Sequence, residues 1–290
     1  MVSADVNGIT IEYEVRGEGE PLLLIMGLAG QLIDWPDPFV DLFVDAGYQV
    51  IRFDNRDIGL STQTTWTPPS QTKMLAGLLT RRPLKGVGYT LSDMASDTAG
   101  LLDSLGIDAA HVLGVSMGGM IGQELAIDHP DRVRSLCSIM SNTGDRRHGS
   151  ASRRLLAKLA RQQPVSREDA AEATVETFRL ISGPHFDADG YRDMAQRRVE
   201  RSWNPGGVAR QTAAVAGSRD RTKLLGSVQA PTLVIHGLLD RLVKPSGGIA
   251  TARAVPGSRL LAFPDMAHDL PLPRWPEMKS AIIDNIGRAA

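Results

Sequence analysis

The stretch HVLGVSMGGMI at 111–121 places one serine, Ser116, between Gly114 and Gly118, with Gly119 next and apolar residues on both sides. An apolar run leads into the serine and a helix begins at about Met117, which describes a sharp strand-to-helix turn. A serine at such a turn takes a strained backbone conformation, so the residues two before and two after it must be tiny. The turn lifts the hydroxyl above the carboxyl ends of the strands, where open α/β folds bind ligands. Ser116 is therefore a candidate nucleophile, and a hydroxyl in that role needs a base.

Folds that use this turn run serine, acid, histidine along the chain. His111, His129, His148 and His185 come too early or fall in a helical insertion, and His236 lies in the apolar run before the candidate acid. His268 remains, on a loop just beyond the last apolar run in LLAFPDMAHDLP. Asp240 directly follows APTLVIHG, where a carboxylate would orient the imidazole and stabilise it when protonated. Asp145, after the preceding apolar run, is the rival, while Asp265 and Asp269 stand too near the histidine in sequence. Attack on a carbonyl creates an oxyanion that two backbone N–H groups can hold. One is that of Met117, at a helix start whose dipole favours negative charge, and the other falls by position to Leu28, after the run PLLLIMG.

The elements that must carry these residues are readable from periodicity. Ile9, Ile11, Tyr13 and Val15 alternate with polar residues, and Asn7-Gly8 before them is a preferred two-residue hairpin turn. PLLLIMG, YQVIRFD, AHVLGVS, VRSLCSIM, APTLVIHG and SRLLAFP are short, nearly continuous apolar runs, as in strands buried on both faces of a parallel sheet. Helical patterns lie between them. Thr90 and Asp93 form a capping box before the stripe Met94, Thr98, Leu101, Leu102 and Leu105, and Gly106 supplies the stop. GGMIGQELAID is apolar nearly all round, and WPEMKSAIIDNIGRAA closes the chain.

Two stretches interrupt this rhythm. Between Asn142 and about Thr222 the segments ASRRLLAKLARQQ, SREDAAEATVETFRLIS, DADGYRDMAQRRVERSW and GVARQTAAVAG are all helical, which predicts an inserted cap at 143–222 between core segments 1–142 and 223–290. Its arginines, among them Arg146, Arg147, Arg153, Arg154, Arg197, Arg198 and Arg201, are read as a solvated face rather than an anion site. The loop at 63–88 carries Trp66 and an apolar patch, and its length suits a lid or pocket wall.

The 290 residues suffice for one large core, and 42% hydrophobic and 22% charged residues with a net charge of −1 do not suggest a nucleic-acid partner. The N-terminus lacks a basic start followed by an apolar stretch, and LLLIMGLAG is far shorter than the ~20 residues a membrane helix needs, so a cytoplasmic protein with no membrane partner is expected. The single Cys137, in an apolar string, excludes an internal disulfide and reads as an inert core thiol; no metal and no cofactor are expected. A small-molecule substrate is expected, and a homodimer stays open.

With these residues in place, the chain resembles the α/β-hydrolase superfamily along nearly its whole length. PLLLIMG, VIRFDNRDIGLS, HVLGVSMGGMIGQELAIDHPDRV, APTLVIHGLLD and DMAH follow its landmarks in order. Within it, the sequence is similar to small capped carboxylesterases, including the aclacinomycin methylesterases. The resemblance implies an α/β fold with an eight-stranded, mostly parallel sheet and a cap inserted after the sixth strand. It also implies Ser116 as nucleophile, Asp240 and His268 as its relay, and Leu28 and Met117 as oxyanion donors. Met26-Gly27 stands where many relatives carry His-Gly, which makes the pocket floor more apolar. Asp54, Arg56 and Asp57 of FDNRDIGLS read as tying down a turn rather than binding a metal.

The resulting expectation is a serine carboxylic-ester hydrolase acting through an acyl-enzyme on a short acyl ester, methyl ester or lactone. Activity should rise with pH as His268 becomes neutral. Perhydrolases, thioesterases and C–C bond hydrolases share the triad, and a non-catalytic receptor of the same fold is the reading from a different class. Ser116 itself excludes the aspartate-nucleophile mechanism of haloalkane dehalogenases and epoxide hydrolases.

Overall fold

Asn7 and Gly8 take φ of 49° and 77° and join β1 (Val2–Val6) to β2 (Ile9–Arg16) in a tight antiparallel hairpin, with Val6 paired to Ile9. This is the turn in which both central residues need positive φ, and it lets the expected hairpin open the chain. The computed structural model describes residues 2–70, 73, 83–159 and 165–289. The six apolar runs form β3 (Glu20–Ile25), β4 (Tyr48–Phe53), β5 (Ala110–Val115), β6 (Val133–Ile139), β7 (Thr232–Gly237) and β8 (Arg259–Phe263). The eight strands make one sheet in the order β1-β2-β4-β3-β5-β6-β7-β8. Only β2 runs against its neighbours; from β4 through β8 all pairs are parallel.

Strand periodicity divides the core in two. Leu23, Ile25, Ile51 and Phe53 point to one face, and Leu22, Leu24 and Val50 to the other. The first face is covered by α2 (Leu91–Ser104) and α3 (Met117–Asp128), the second by α1 (Asp37–Val44) and α9 (Trp275–Ile286). Every residue of β5 and β7 is buried, which is why they read as unbroken apolar runs. The Thr90 N–H donates to Asp93 Oδ2 at 2.7 Å to start α2, and Gly106 with φ 68° ends it. The helix α8 (Ser246–Ala254) packs against β7 and β8.

Between β6 and β7 the described residues form α4 (Arg153–Leu159), α5 (Ala170–Ile181), α6 (Ala188–Arg201) and α7 (Pro205–Gly217), and no strand. The α5–α6 pair is fastened by Tyr191, whose ring stacks on Phe178 at 4.4 Å and on Phe186 at 5.1 Å.

Two expectations are corrected here. The arginines of α6 are not simply a solvated face. Arg201 pairs with the fully buried Asp54 at 2.7 Å, and Arg198 donates to the Ala29 carbonyl and lies 3.3 Å from Asp34. Arg146 likewise reaches the Ala216 carbonyl at 2.7 Å. Charge on a helix does not imply exposure when its partners, Asp54 and Ala29, lie far away in sequence. Trp66 is not a wall of a binding cavity either: it packs edge-on against Tyr89 at 5.7 Å, in the core beside α2. Of the expected lid at 63–88, residues 71–72 and 74–82 lie outside the described residues. Among the described residues no helix is long and apolar enough to cross a membrane.

Candidate active site

Ser116 sits between the end of β5 and the start of α3 with φ 54° and ψ −117°, a conformation that L residues adopt only when the surroundings impose it. Its N–H donates to the Ile139 carbonyl at 2.8 Å, which anchors the turn to β6. The glycines are needed for space. A Cβ on Gly118 would overlap the Ile25 carbonyl, and one on Gly114 would overlap the Gly118 backbone. A Cβ on Gly119 would stand 2.9 Å from Ser138 Oγ and Ser141 Cβ.

His268 lies on the loop after β8, and its Nε2 is 3.0 Å from Ser116 Oγ. Its Nδ1 is 2.7 Å from Asp240 Oδ2, on the loop after β7. The two carboxylate oxygens of Asp240 are divided. Oδ1 accepts the N–H groups of Leu242 and Val243, each at 2.8 Å, and Oδ2 faces the imidazole. Nδ1–H therefore donates to the carboxylate and leaves the Nε2 lone pair facing the serine hydroxyl. Burial pushes the Asp240 carboxyl up, but the charge of His268, its hydrogen bond and the nearby His236 ring outweigh it and hold it at about 2. The rival carboxylate is turned elsewhere: Asp145 pairs with Arg147 at 2.9 Å.

Two side chains set aside above as base or acid support this arrangement. His236 donates Nε2–H to the Val243 carbonyl at 2.7 Å and stands 3.6 Å from Asp240 Oδ2, so it backs the acid loop. Asp269 ties the histidine loop to the segment after α5: its Oδ2 accepts the Gly183 N–H and the His268 N–H donates to the Ile181 carbonyl, both at 3.0 Å.

The two expected oxyanion donors flank the serine. Met117 is the first residue of α3, where an N–H has no partner within the helix. Leu28 follows Gly27, on which a Cβ would sit 3.3 Å from Ser116 Cβ, so the loop after β3 packs directly on the nucleophile. Above them lies a cavity of about 1250 Å³, lined mainly by apolar side chains such as Met26, Leu28, Phe178, Tyr191, Val208 and Leu272. Arg197 and Arg198 also reach this wall, and Arg198 offsets Asp34, whose carboxyl burial pushes upward. Among the described residues no cluster of three His, Cys, Asp or Glu side chains could hold a metal ion.

The family model for the alpha/beta hydrolase fold matches residues 20–274. The chain belongs to the α/β-hydrolase family. This α/β hydrolase is 30% identical over 285 residues to rhodomycin D methylesterase DnrP of Streptomyces peucetius, covering 90% of this chain and 89% of that one. It is 27% identical over 279 residues to a 2-hydroxy-6-oxo-6-phenylhexa-2,4-dienoate hydrolase of Comamonas testosteroni, covering 91% and 86%. Among solved structures, a thermophilic esterase from Thermogutta terrifontis superposes with a TM-score of 0.70 at 25% identity, covering 99% of this α/β hydrolase and 97% of the esterase.

Proposed function

We propose that the chain is a serine carboxylesterase with Ser116 as nucleophile, His268 as general base and acid, and Asp240 as the carboxylate that orients the histidine. The observation that carries this is the chain of contacts from Ser116 Oγ to His268 Nε2 at 3.0 Å and from Nδ1 to Asp240 at 2.7 Å, at the floor of a large apolar cavity. His268 takes the hydroxyl proton as Ser116 attacks the ester carbonyl. The N–H groups of Leu28 and Met117 hold the oxyanion, and His268 returns the proton to the departing alcohol. Water activated by the same histidine then attacks the acyl-enzyme and releases the acid.

The segment 143–222 acts as the cap, with 1–142 and 223–290 forming the core. The cavity exceeds the roughly 300–1,000 Å³ of ordinary small-molecule pockets, which favours a medium-sized or bulky ester over acetate esters alone. The similarity to a rhodomycin D methylesterase makes a methyl ester on a bulky acyl group the first substrate class to test. A panel of p-nitrophenyl esters, methyl esters and lactones, run with native protein and Ser116→Ala, tests the assignment. Hydrolysis that depends on Ser116 is expected, and a panel left untouched by the native protein would refute it. The dienoate hydrolase relative keeps C–C bond hydrolysis as a second reading. Cleavage of such dienoates in preference to every ester would favour it.

A further inference from the structure

Met140 follows β6 with φ 45°, in the left-handed region where glycine is the usual resident. Among the described residues four other non-glycine residues have positive φ, each with a ready reason: Asn7 and Asp57 are types that visit this region, Ala29 is small, and Ser116 is the candidate nucleophile. Met140 alone is bulky. Glycine would take this conformation without strain, so a long side chain held there points to a use for the side chain. The Met140 N–H donates to the Ile235 carbonyl at 2.8 Å, which fixes the backbone, and the side chain is buried yet forms part of the cavity wall.

Its place relative to Ser116 follows from the sheet. In the parallel ladder of β5 and β6, Val115 pairs with Ile139, and the Ser116 N–H donates to the Ile139 carbonyl. The next residues, Ser116 and Met140, therefore leave the two strands side by side, at about the 4.7–4.9 Å spacing of neighbouring strands. Because β6 lies between β5 and β7, Met140 stands on the side of Ser116 from which Asp240 and His268 approach. The loop of Leu28 follows β3, on the opposite side. An ester attacked by Ser116 turns its carbonyl oxygen toward Leu28 and its leaving oxygen toward His268 Nε2, which has to protonate it. The alcohol half thus falls on the side of Met140, and the acyl half extends into the cavity of about 1250 Å³.

We propose that Met140 is a specificity-determining residue that limits the alcohol half of the ester to a small alkyl group while leaving the acyl half unrestricted. This rests on the esterase reading above and narrows it to esters of small alcohols with bulky acids.

The test compares kcat/KM for methyl and benzyl phenylacetate, followed by acid release in a pH-stat, in native protein, Met140→Ala, Met140→Gly and Met140→Leu. Alkyl esters are used because the good leaving group of a p-nitrophenyl ester would offset a poor fit. Native protein should favour the methyl ester by at least about 10-fold, and both truncations should raise the benzyl-to-methyl ratio by about 10-fold or more. Met140→Leu keeps the volume and should stay within about 3-fold of the native ratio. The ratio of methyl phenylacetate to methyl acetate, which varies only the acyl half, should stay within about 3-fold of native in every variant. Native protein without a preference for the methyl ester, truncations that leave the benzyl-to-methyl ratio unmoved, or an acyl ratio that shifts as far as the alcohol ratio overturns this inference alone. Native protein that hydrolyses no ester overturns the esterase reading and this inference with it. If neither truncation folds, Met140→Phe runs the test in reverse: the ethyl-to-methyl ratio should fall by at least about 5-fold, and an unchanged ratio is the overturning result.

Discussion

Asp240 assigns its oxygens to separate tasks, one to two backbone N–H groups and the other to His268. Asp240→Asn keeps the shape but puts an amide where the imidazole needs an acceptor, so kcat should fall by about 10³- to 10⁴-fold with little change in KM; steady-state kinetics check this. The sign of its contribution to stability follows from its depressed pKa. A carboxyl held at about 2 in the folded protein, against about 3.9 unfolded, contributes fully above pH ~4 and loses that contribution as pH falls towards ~2. Acid titrations of native protein and Asp240→Asn, followed by circular dichroism, should differ in slope across that window. Cys137 behaves as its apolar surroundings foretell: it is buried, and burial pushes its thiol far up from its ordinary value. A thiol-reactive dye should leave the native protein unmodified and react once it is denatured, which a simple absorbance assay checks.

At the scale of elements, the turn around Ser116 tolerates no side chain at Gly118 because the obstacle is the backbone of β3, which cannot step aside. Gly118→Ala should destabilise by about 3 kcal/mol, measured by urea denaturation. The helix α6 contributes differently. Asp54 has no exposed side-chain surface and accepts the N–H groups of Leu32 and Leu60 as well as the charge of Arg201. Burial raises its carboxyl, and Arg201 is the chief counterweight. Arg201→Met should therefore cost about 3–5 kcal/mol, far more than loss of a surface pair, and the same denaturation series tests it. Asp57 plays a parallel part toward α7, pairing with Arg210 at 2.9 Å. The FDNRDIGLS stretch thus does more than hold its own turn, since it receives the helices that cross above it.

Across the whole molecule, described helices between β6 and β7 hold both the loop of Leu28 and the loop of His268. Gln211 and Arg198 hold the loop after β3, while Ile181 and Gly183 hold the loop of His268. The sheet, the elbow and the helical character of this segment were readable because each rests on local pattern: strands buried on both faces, glycines two residues either side of a serine, apolar spacing along helices. Asp240 is preferred over Asp145 from chain order, although both follow strands, and the folded geometry adds the 2.7 Å contact between Asp240 Oδ2 and His268 Nδ1. The partnership of Gln211 with Ala29 spans 182 residues, and no local pattern encodes it. Its one trace in the sequence is an amide on the buried stripe of Gly207, Gln211 and Ala214, where an apolar residue would otherwise sit. Trp66 shows the converse, because an aromatic in a long loop serves the core as readily as a pocket.

Ser116 as a nucleophile that becomes acylated is the claim on which the rest depends. Rapid quenching of p-nitrophenyl ester turnover, with mass spectrometry of the digested protein, tests it most directly. The expected result is an acyl adduct on the peptide containing Ser116, together with a loss of turnover of at least about 10³-fold in Ser116→Ala. An adduct on another residue, or turnover retained by Ser116→Ala, would contradict it.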